Sequence, residues 1–444
     1  MGQFIIQGRK PINGVRRVPG NKNAALPMMA AALLTDEPVV LSNLPLIQDV
    51  RVMLELLGGL GAEVELDEAG RAARICARKL RTTELNRALC GKVRGSVLFA
   101  GALLGRCGNA TLHAPGGDMI GRRRLDTHVD GLRAIGAKTG MPGKSGKITF
   151  KTPAAAESCP PQKPAPGRRL RGGDVLLDEA SVTATENVLM AASRASGETT
   201  IYNAACEPHV QDLCRMLAGM GAEISGAGTN RLVVRGAERL TGGEFTVGAD
   251  SVDAGSFVVA ALVTGGDLTL EGVSPMDFKV LERPFKRFGV KWSLAGTRLH
   301  VPGKQRLRMQ YDLGDVIPKI EDGPWPGFPS DLMSVLIVLA TQTRGTVLFF
   351  EKMFESRMYF VDHLIGMGAR IVQCDPHRVV VTGPATLSAA RVTSPDIRAG
   401  MALLIAALCA KGETTILNAE SIDRGYEGID VELGRLGAGI RRMT

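Results

Sequence analysis

The sequence feature that most constrains the fold is an internal repeat. A segment that ends in glycine, and then continues into a short strand, occurs six times in the 444-residue chain. Successive glycines lie 75, 85, 68, 79 and 69 residues apart, at Gly61, Gly136, Gly221, Gly289, Gly368 and Gly437. Solenoid repeats are shorter, about 20 to 45 residues, so a unit of this length predicts a small packed subdomain.

Each repeat carries two kinds of helix. The first is almost wholly apolar, as in the run MALLIAALCA from Met401 to Ala410. The second, such as Arg51 to Leu60, alternates charged and apolar residues and ends at the repeated glycine. A helix that is apolar on every side must be buried all round, whereas the alternating type lies on the surface. The glycine after each outer helix is predicted to form a left-handed cap. The chain therefore reads as six α/β units.

Composition narrows the class of protein. Apolar residues make up 45% and charged residues 22%, values typical of a folded globular protein, and 444 residues exceed one ordinary core, so we expect two domains. The net charge of +9 comes with only 4% aromatics, which argues against a nucleic-acid partner. The Pro-rich stretch at 153–167 is predicted to be an extended surface loop.

The apolar runs also bear on location. They fall short of the roughly 20 residues that span a bilayer, and Met1 is not followed by a secretory signal pattern, so we expect no membrane association and a cytoplasmic protein. The eight cysteines are scattered singly without a C-x-x-C pair. Such spacing favours reduced thiols and predicts no structural metal.

Three short strings carry residues suited to chemistry. PGNKNAALP places Lys22 and Asn23 at the start of the first buried helix, where an asparagine cap beside a solvated lysine is the simplest interpretation. PGGDMIGRRRLDTH, from Pro115 to His128, is turn chemistry or a glycine-rich lid. FPSD begins the fifth buried helix, where Asp331 would by default complement the helix dipole.

Taken together, these strings and the six repeats resemble the enolpyruvyl transferases that act on UDP-N-acetylglucosamine, and the resemblance covers essentially the whole chain. It implies an α/β fold, a two-domain inside-out barrel with three βαβαββ-like units per domain. It implies a first domain at 22–247 and a second at 1–21 with 248–444. It further implies that the helix N-termini of both domains face a shared crevice, where their partial positive charge favours anions.

The resemblance also implies substrates and residue roles. The substrates are phosphoenolpyruvate and UDP-N-acetylglucosamine, with no cofactor and no metal, in a monomer or weak homo-oligomer. Phosphoenolpyruvate would contact cationic side chains that suit its phosphate and carboxylate, namely Lys22, Arg94, Arg123, Arg398 and Arg424, with Arg357 completing the anion site. The nucleotide sugar would contact Asn23, Arg94, Arg123, Leu125, Asp126, Thr127, Ser181, Val182, Thr183, Asp331 and Met353.

Asp118 stands where the resembling enzymes commonly have a reactive cysteine. The reaction adds the sugar 3-hydroxyl to C2 of phosphoenolpyruvate, protonates C3 and expels phosphate, so a proton donor is required. A carboxyl can donate if the site raises its pKa well above roughly 3.9. We therefore expect Asp118 to be the general acid, Asp331 to help deprotonate the 3-hydroxyl, and the enzyme to resist fosfomycin, which alkylates the cysteine thiolate. Lys22 would also act in catalysis.

Other functions remain open at this point. A shikimate-pathway enolpyruvyl transferase would share the fold, but its Lys-Ser pattern is absent. A nucleotide-sugar-binding paralogue without turnover, or with altered specificity, is favoured only by Asp118 and by two further departures. Glu179 stands where a lysine is expected, and Arg124 stands where a proline is expected beside the uracil. Nucleic-acid binding, as in RNA terminal phosphate cyclase, has only the net charge behind it.

Overall fold

The computed structural model describes residues 2–117, 120–122, 124–140, 146–153 and 170–443. Two residues with predicted roles, Asp118 and Arg123, lie outside the described residues, as does the Pro-rich segment from residue 154 onward.

The helices are α1 Lys22–Ala31, α2 Gln48–Leu60, α3 Arg87–Cys90, α4 Phe99–Cys107, α5 Asp126–Ala134, α6 Val182–Ala192, α7 Pro208–Gly219, α8 Ser251–Thr264, α9 Pro275–Arg287, α10 Ser330–Gln342, α11 Val361–Gly366, α12 Ile397–Cys409, α13 Glu420–Asp423 and α14 Ile429–Arg435. Two 3-10 turns at Ala32–Leu34 and Arg94–Leu98 extend α1 and precede α4.

The strands are β1 Gln3–Gln7, β2 Gly14–Arg17, β3 Val39–Ser42, β4 Glu63–Asp67, β5 Ala72–Cys76, β6 Asn109–His113, β7 Lys138–Gly140, β8 Lys147–Lys151, β9 Asp174–Leu176, β10 Glu198–Tyr202, β11 Glu223–Ser225, β12 Arg231–Arg235, β13 Gly243–Thr246, β14 Leu268–Glu271, β15 Ser293–Ala295, β16 Arg298–Val301, β17 Lys319–Glu321, β18 Gly345–Phe350, β19 Arg370–Asp375, β20 Arg378–Gly383, β21 Arg391–Thr393, β22 Glu413–Leu417 and β23 Gly439–Met443.

The sheets repeat one pattern, which confirms the predicted repeat. Across the described ranges, five sheets have four strands, in the orders β13-β3-β5-β4, β11-β12-β10-β9, β15-β16-β14-β2, β17-β18-β20-β19 and β21-β22-β1-β23. In each of these sheets, one edge strand pairs with its neighbour in parallel and the remaining pairs are antiparallel. For example, β17 is parallel to β18, whereas β18 with β20 and β20 with β19 are antiparallel pairs. The sixth sheet, β6-β8-β7, has three strands, and a parallel bridge from Glu84 to Thr111 occupies the remaining edge.

The two kinds of helix also occur as predicted. α1, α4, α6, α8, α10 and α12 are the buried helices, and all residues of α12 are buried because they are apolar except for Arg398 near its start. The outer helices α2, α5, α7, α9, α11 and α14 each reach one of the repeated glycines. Those glycines have φ between +73° and +112°, a range in which a Cβ would be strained, so glycine is needed there.

The chain forms two compact units. Unit 1 comprises Met1–Pro19, Asp118–Arg123 and Ala249–Thr444, and unit 2 comprises Gly20–Gly117 and Arg124–Gly248. Each unit has its own apolar core, built around α8, α10 and α12 in unit 1 and around α1, α4 and α6 in unit 2. The N-terminal strands belong to unit 1, where β1 pairs with β22 and β23 and β2 pairs with β14. Within the described residues, no helix combines the length and apolarity that crossing a bilayer requires.

Candidate active site

In unit 1, a carboxylate is clamped between two arginines at the start of α10. Asp331 accepts a hydrogen bond from Arg357 on Oδ1 and another from Arg398 on Oδ2, each at 2.7 Å. Both guanidinium groups are buried, with 7% of each residue exposed. Arg357 and Arg398 are therefore not surface ion pairs, and Asp331, which lies in the first turn of α10 as predicted, is bound by two buried cations.

This clamp sets the charge of the carboxyl. Burial raises the pKa of Asp331, but the positive charges of Arg398 and Arg357 and their hydrogen bonds more than offset that effect, so its pKa lies well below the usual range. Asp331 is thus ionised at neutral pH. While both arginines hold it, it is also a weak base.

Arg398 retains donor capacity beyond the clamp. Its Nη1 is buried and has no hydrogen-bond partner among the described residues. Its guanidinium also lies 5.5 Å from the ring centroid of buried Tyr426, whose hydroxyl contacts Ser256 Oγ at 2.8 Å. The side chain is therefore fixed from two sides, and its buried Nη1 keeps a charged donor of the kind that binds phosphate and carboxylate oxygens.

The loop from Glu351 to Arg357 supplies the second arginine of the clamp. It follows β18 and precedes α11, just as the segment holding half-buried Arg424 follows β22 and precedes α14. Arg94 and Arg398 form the other equivalent pair, because each begins a buried helical element. The four arginines thus occupy two kinds of position in the repeat, a helix start and the segment that follows a strand.

Three residues of the glycine-rich string belong to unit 1 and contact this loop. Ser356 donates its backbone N–H to the Ile120 carbonyl at 3.3 Å, and the Arg122 N–H donates to Glu355 Oε2 at 3.2 Å. Gly121 between them has φ +120°, which glycine adopts without strain. Met353, a predicted nucleotide-sugar contact in the same loop, is 38% exposed.

In unit 2, the start of α1 carries a buried ion pair. Lys22 Nζ lies 2.5 Å from Asp49 Oδ2, and the two side chains are only 12% and 3% exposed. Asn21 caps the helix by accepting from the Ala24 N–H at 3.1 Å, as the simple interpretation has it. The lysine, however, is paired and not solvated, and Asn23 beside it is half-buried.

A second network in unit 2 joins α5 to α6 through a neutral histidine. Asn187 donates its Nδ2 to His128 Nδ1 at 2.9 Å, and His128 Nε2 lies 3.1 Å from Thr183 Oγ1. Burial, and then the charge of Arg94, lower the pKa of His128 to about 3. The ring therefore accepts at Nδ1 and donates from Nε2 to Thr183, so Asn187 selects its tautomer.

Six of the eleven residues predicted to contact the nucleotide sugar lie on the segments around this histidine. Thr127 Oγ1 donates to Asp178 Oδ1 at 2.6 Å, which joins the start of α5 to the turn before α6. Ser181 caps α6, because its Oγ accepts from the Ala184 N–H at 3.4 Å. Thus the structure brings one group of predicted residues together, namely Leu125, Asp126, Thr127, Ser181, Val182 and Thr183.

The two departures from the expected pattern fall in the same cluster. Arg124 donates to Asp126 at 2.8 Å and lies 3.6 Å from Asp178, while Glu179 lies 3.4 Å from the Thr127 hydroxyl. A positive and a negative substitution therefore enter one local network, where their charges partly compensate. Among the described residues, no group of three or more His, Cys, Asp or Glu side chains is placed to hold a metal ion.

Sequence reasoning missed several residues of these networks. Asp49, His128, Asn187 and Glu351 had no predicted role, although His128 ended a quoted string. Their partners lie far away in the chain, so no local spacing signals them. A polar residue inside an otherwise apolar helix, such as Asn187 in α6, is the one signal that could have been used.

Comparison with known proteins adds sequence and fold relatives. Residues 6–433 match the family described as EPSP synthase (3-phosphoshikimate 1-carboxyvinyltransferase). The chain is 50% identical to a UDP-N-acetylglucosamine 1-carboxyvinyltransferase of Treponema denticola, over 99% of both chains. It is 47% identical to the protein of that name in Borreliella burgdorferi, over 100% of this chain and 99% of that one.

Two solved structures share the fold. The enolpyruvyl transferase NikO from Streptomyces tendae superimposes with a TM-score of 0.86 at 24% identity, covering 100% of this chain and 99% of that one. EPSP synthase from Acinetobacter baumannii gives 0.75 at 19% identity, covering 100% of both chains. These likenesses confirm the predicted two-domain α/β fold.

Proposed function

Because the chain belongs to the UDP-N-acetylglucosamine 1-carboxyvinyltransferases within the EPSP synthase family, we propose that it moves the enolpyruvyl group of phosphoenolpyruvate to the 3-hydroxyl of UDP-N-acetylglucosamine and releases phosphate. This reaction is the first committed step of peptidoglycan precursor synthesis. The observation that carries the proposal is full-length identity of 50% and 47% to proteins of that name.

The arginine clamp supports a role in binding the phosphoenolpyruvate anion. Arg398 presents a buried donor with no described partner, and planar guanidinium groups match phosphate and carboxylate oxygens. The other proposed phosphoenolpyruvate contacts are Arg424, Lys22, Arg94 and Arg123. The placement of Arg123 lies outside the described residues.

Asp331 is the proposed acceptor of the 3-hydroxyl proton. Its low pKa makes it a weak base while both arginines bind it. When an anion takes hydrogen bonds from Arg398, the carboxylate loses part of its stabilisation and becomes a stronger base. Substrate binding would therefore activate Asp331. Proton transfer by a positioned side chain typically contributes about 10²- to 10⁴-fold to rate.

Asp118 is the proposed general acid that protonates C3. A carboxyl is a poor nucleophile toward an epoxide, so we expect fosfomycin to leave the enzyme active.

The residues around His128 in unit 2 are the proposed contacts of the uridine diphosphate. The neutral ring suits that role because it orders Thr183 without adding a charge.

A cytoplasmic location accords with the cysteines. All seven cysteines of the described part of the chain are free, and five of them are buried. Free thiols are the usual state in a reducing compartment. A monomer or weak homo-oligomer stays our expectation for the assembly.

The decisive experiment measures phosphate release from purified protein given both substrates. We expect release only when both are present, and a loss of at least about 100-fold in kcat for Asp118→Asn. Fosfomycin pre-incubation should leave the wild-type rate unchanged. Full activity of Asp118→Asn, or rapid complete inactivation by the drug, would remove the assigned role of Asp118.

The alternative acceptor is shikimate 3-phosphate, which the description of the matched family favours. The solved EPSP synthase is only 19% identical to this chain, however, and that likeness bears on the fold alone. Supplying shikimate 3-phosphate in place of the nucleotide sugar tests this candidate. We expect no phosphate release with it.

A further inference from the structure

Two carboxyl groups are buried together behind the arginine clamp of unit 1. Glu351 is fully buried and Asp322 is 1% exposed. Asp322 follows β17 and Glu351 follows β18, so the parallel pairing of these strands places the two side chains side by side. Neither residue belongs to the predicted substrate contacts.

The hydrogen bonds around this pair leave one atom unsatisfied. Glu351 accepts from Ser330 Oγ with both oxygens at 2.9 Å and from the N–H groups of Met353 and Phe354 at 3.2 Å. Asp322 Oδ1 accepts from the Lys352 N–H at 2.5 Å, but buried Oδ2 has no partner among the described residues. Two carboxylates cannot satisfy each other, whereas a protonated carboxyl can donate to a carboxylate.

Protonation of Glu351 resolves this arrangement. Burial, and then the hydrogen bond and charge of Asp322, raise the pKa of Glu351 to about 9. Glu351 is therefore protonated at neutral pH, and its carboxyl proton can be donated to the unsatisfied Oδ2 of Asp322.

The pair supports the loop that carries Arg357 and the residue that precedes Asp331. The backbone N–H groups of residues 352–354 donate hydrogen bonds to the two carboxyl groups. Arg357 lies three residues further along the same loop. Ser330, which also binds Glu351, directly precedes Asp331. The same loop holds Ile120 and Arg122, close in sequence to Asp118.

We propose that Glu351 and Asp322 share one proton and act as positioning residues that hold the Met353–Arg357 loop and Ser330 in the arrangement that turnover requires. The proposal rests on the proposed function, because turnover is one of its readouts. Loss of the shared proton would place two negative charges in a buried space and release the loop. The enzyme would then lose activity at alkaline pH through a group that does not touch the substrate.

Three other charged or titratable residues lie near the pair, namely Arg357, His377 and Lys352. Arg357 lowers the pKa of Glu351, although less than burial and Asp322 raise it. The His377 ring lies 2.8 Å from the Glu351 carbonyl oxygen and not from its carboxyl. Lys352 directs its ammonium to Glu321 at 3.3 Å, away from Asp322. The shared proton is therefore the group that titrates within this cluster.

The first test detects the proton directly and needs no turnover. At pH 7.5, the infrared spectrum of wild type minus that of Glu351→Gln should show a protonated carboxyl band. The difference between wild type and Glu321→Gln should not, because Glu321 is a partly exposed neighbour paired with Lys319 and Lys352. Absence of the band from the Glu351→Gln difference would overturn the shared proton even if the enzyme is fully active.

The second test compares kcat across pH 6 to 10. Glutamine keeps a neutral donor toward Asp322 and acceptors for the loop, so Glu351→Gln should retain kcat within about threefold at pH 7.5 and remove the wild-type decline near pH 9. Asp322→Asn should also keep activity, because its amide donates to an ionised Glu351. Glu351→Ala should lower kcat at least about 30-fold with a smaller change in KM, since positioning is lost.

The outcomes separate the two proposals. An inactive wild type contradicts the proposed function and leaves the infrared test to decide the proton. If Glu351→Gln keeps the alkaline decline, or loses as much kcat as Glu351→Ala, the positioning role is wrong. Should the alanine variant fail to fold, the glutamine variant and its pH profile still decide.

Discussion

The two units place polar groups beside their buried helices in opposite ways. In unit 1, Asp331 is a charged carboxylate between two buried guanidinium groups. In unit 2, the network across α5 and α6 centres on His128, which burial and the charge of Arg94 keep neutral and which Asn187 and Thr183 hold in one tautomer. The same repeat thus supplies a cluster of fixed charges around Asp331 and a network of neutral hydrogen bonds around His128.

This difference shows what the repeat does and does not determine. Every repeat brings a helix N-terminus to the same kind of position, and that partial positive charge is common to both units. The side chains beside it decide whether the half suits a small multiply charged anion or a larger polar ligand. Under the proposed function, the clamp around Asp331 serves the reacting phosphoenolpyruvate, and the neutral network around His128 orders residues for the nucleotide.

The largest expected effect comes from removing the charge at the centre of unit 1. Asp331→Asn should lower kcat by about 10³-fold, because the base is lost and two buried arginines lose their anionic partner. Phosphate release under saturating substrates measures it. Asp362→Asn, an exposed carboxylate in the first turn of α11, is the matched control and should stay within twofold of wild type. If kcat of Asp331→Asn falls by less than tenfold, the charged cluster of unit 1 does not have the role in turnover that we assign to it.

The next effect concerns the one buried ion pair at the start of α1. Asp49→Asn leaves Lys22 without its carboxylate, and breaking such a pair destabilises by about 3 kcal/mol. The exposed pair of Arg74 with Glu65 is the control, and Glu65→Gln should change stability by less than about 1 kcal/mol.

Both tryptophans, Trp292 and Trp325, lie in unit 1, so fluorescence follows that unit alone. The Asp49→Asn variant should therefore unfold at a lower urea concentration when unfolding is monitored by far-UV circular dichroism. Its unfolding monitored by tryptophan fluorescence should match that of the wild type. Equal shifts in both signals would mean that the two units unfold together.

The smallest effect is the pH dependence of unit 2. The pKa of His128 is about 3 in the folded chain and about 6.5 when unfolded, so below pH 6.5 the unfolded state binds the extra proton. Its contribution to stability is present above pH 6.5 and is lost as the pH falls toward 3. Between pH 7 and pH 5, the free energy of unfolding should fall by about 2 kcal/mol from this group.

Glutamine at position 128 cannot titrate, so His128→Gln should remove that part of the acid loss. Circular dichroism at several pH values measures it. Glu351 in unit 1 has the opposite sign, because its raised pKa makes the folded state bind the extra proton and lose stability as the pH rises from about 4.5 to about 9. An unchanged acid slope in His128→Gln would contradict the neutral histidine.

Much of the fold could be predicted because its signals are local. The apolar helices, the outer helices and the repeated glycines each occupy one short stretch, and the structure reproduces all three. The start of α1 was likewise found from its Asn21 cap and adjacent Lys22. Such features depend on residues within a few positions of each other.

The partners of the site residues could not be predicted, because they depend on which repeats pack together. Asp331 binds arginines 26 and 67 positions away, and Asn187 binds a histidine 59 positions away. Glu351 and Asp322 meet only because β17 and β18 pair in parallel. The repeat predicts that side chains from distant segments come into contact, but it does not specify which side chains these are.

We propose that this chain joins the enolpyruvyl group of phosphoenolpyruvate to UDP-N-acetylglucosamine. The most direct measurement gives the purified protein phosphoenolpyruvate with equal amounts of UDP-N-acetylglucosamine and shikimate 3-phosphate, and identifies the products by mass spectrometry. We predict enolpyruvyl-UDP-N-acetylglucosamine and one equivalent of phosphate, with shikimate 3-phosphate unchanged. Transfer to shikimate 3-phosphate, or no transfer to either acceptor, would contradict the proposed reaction.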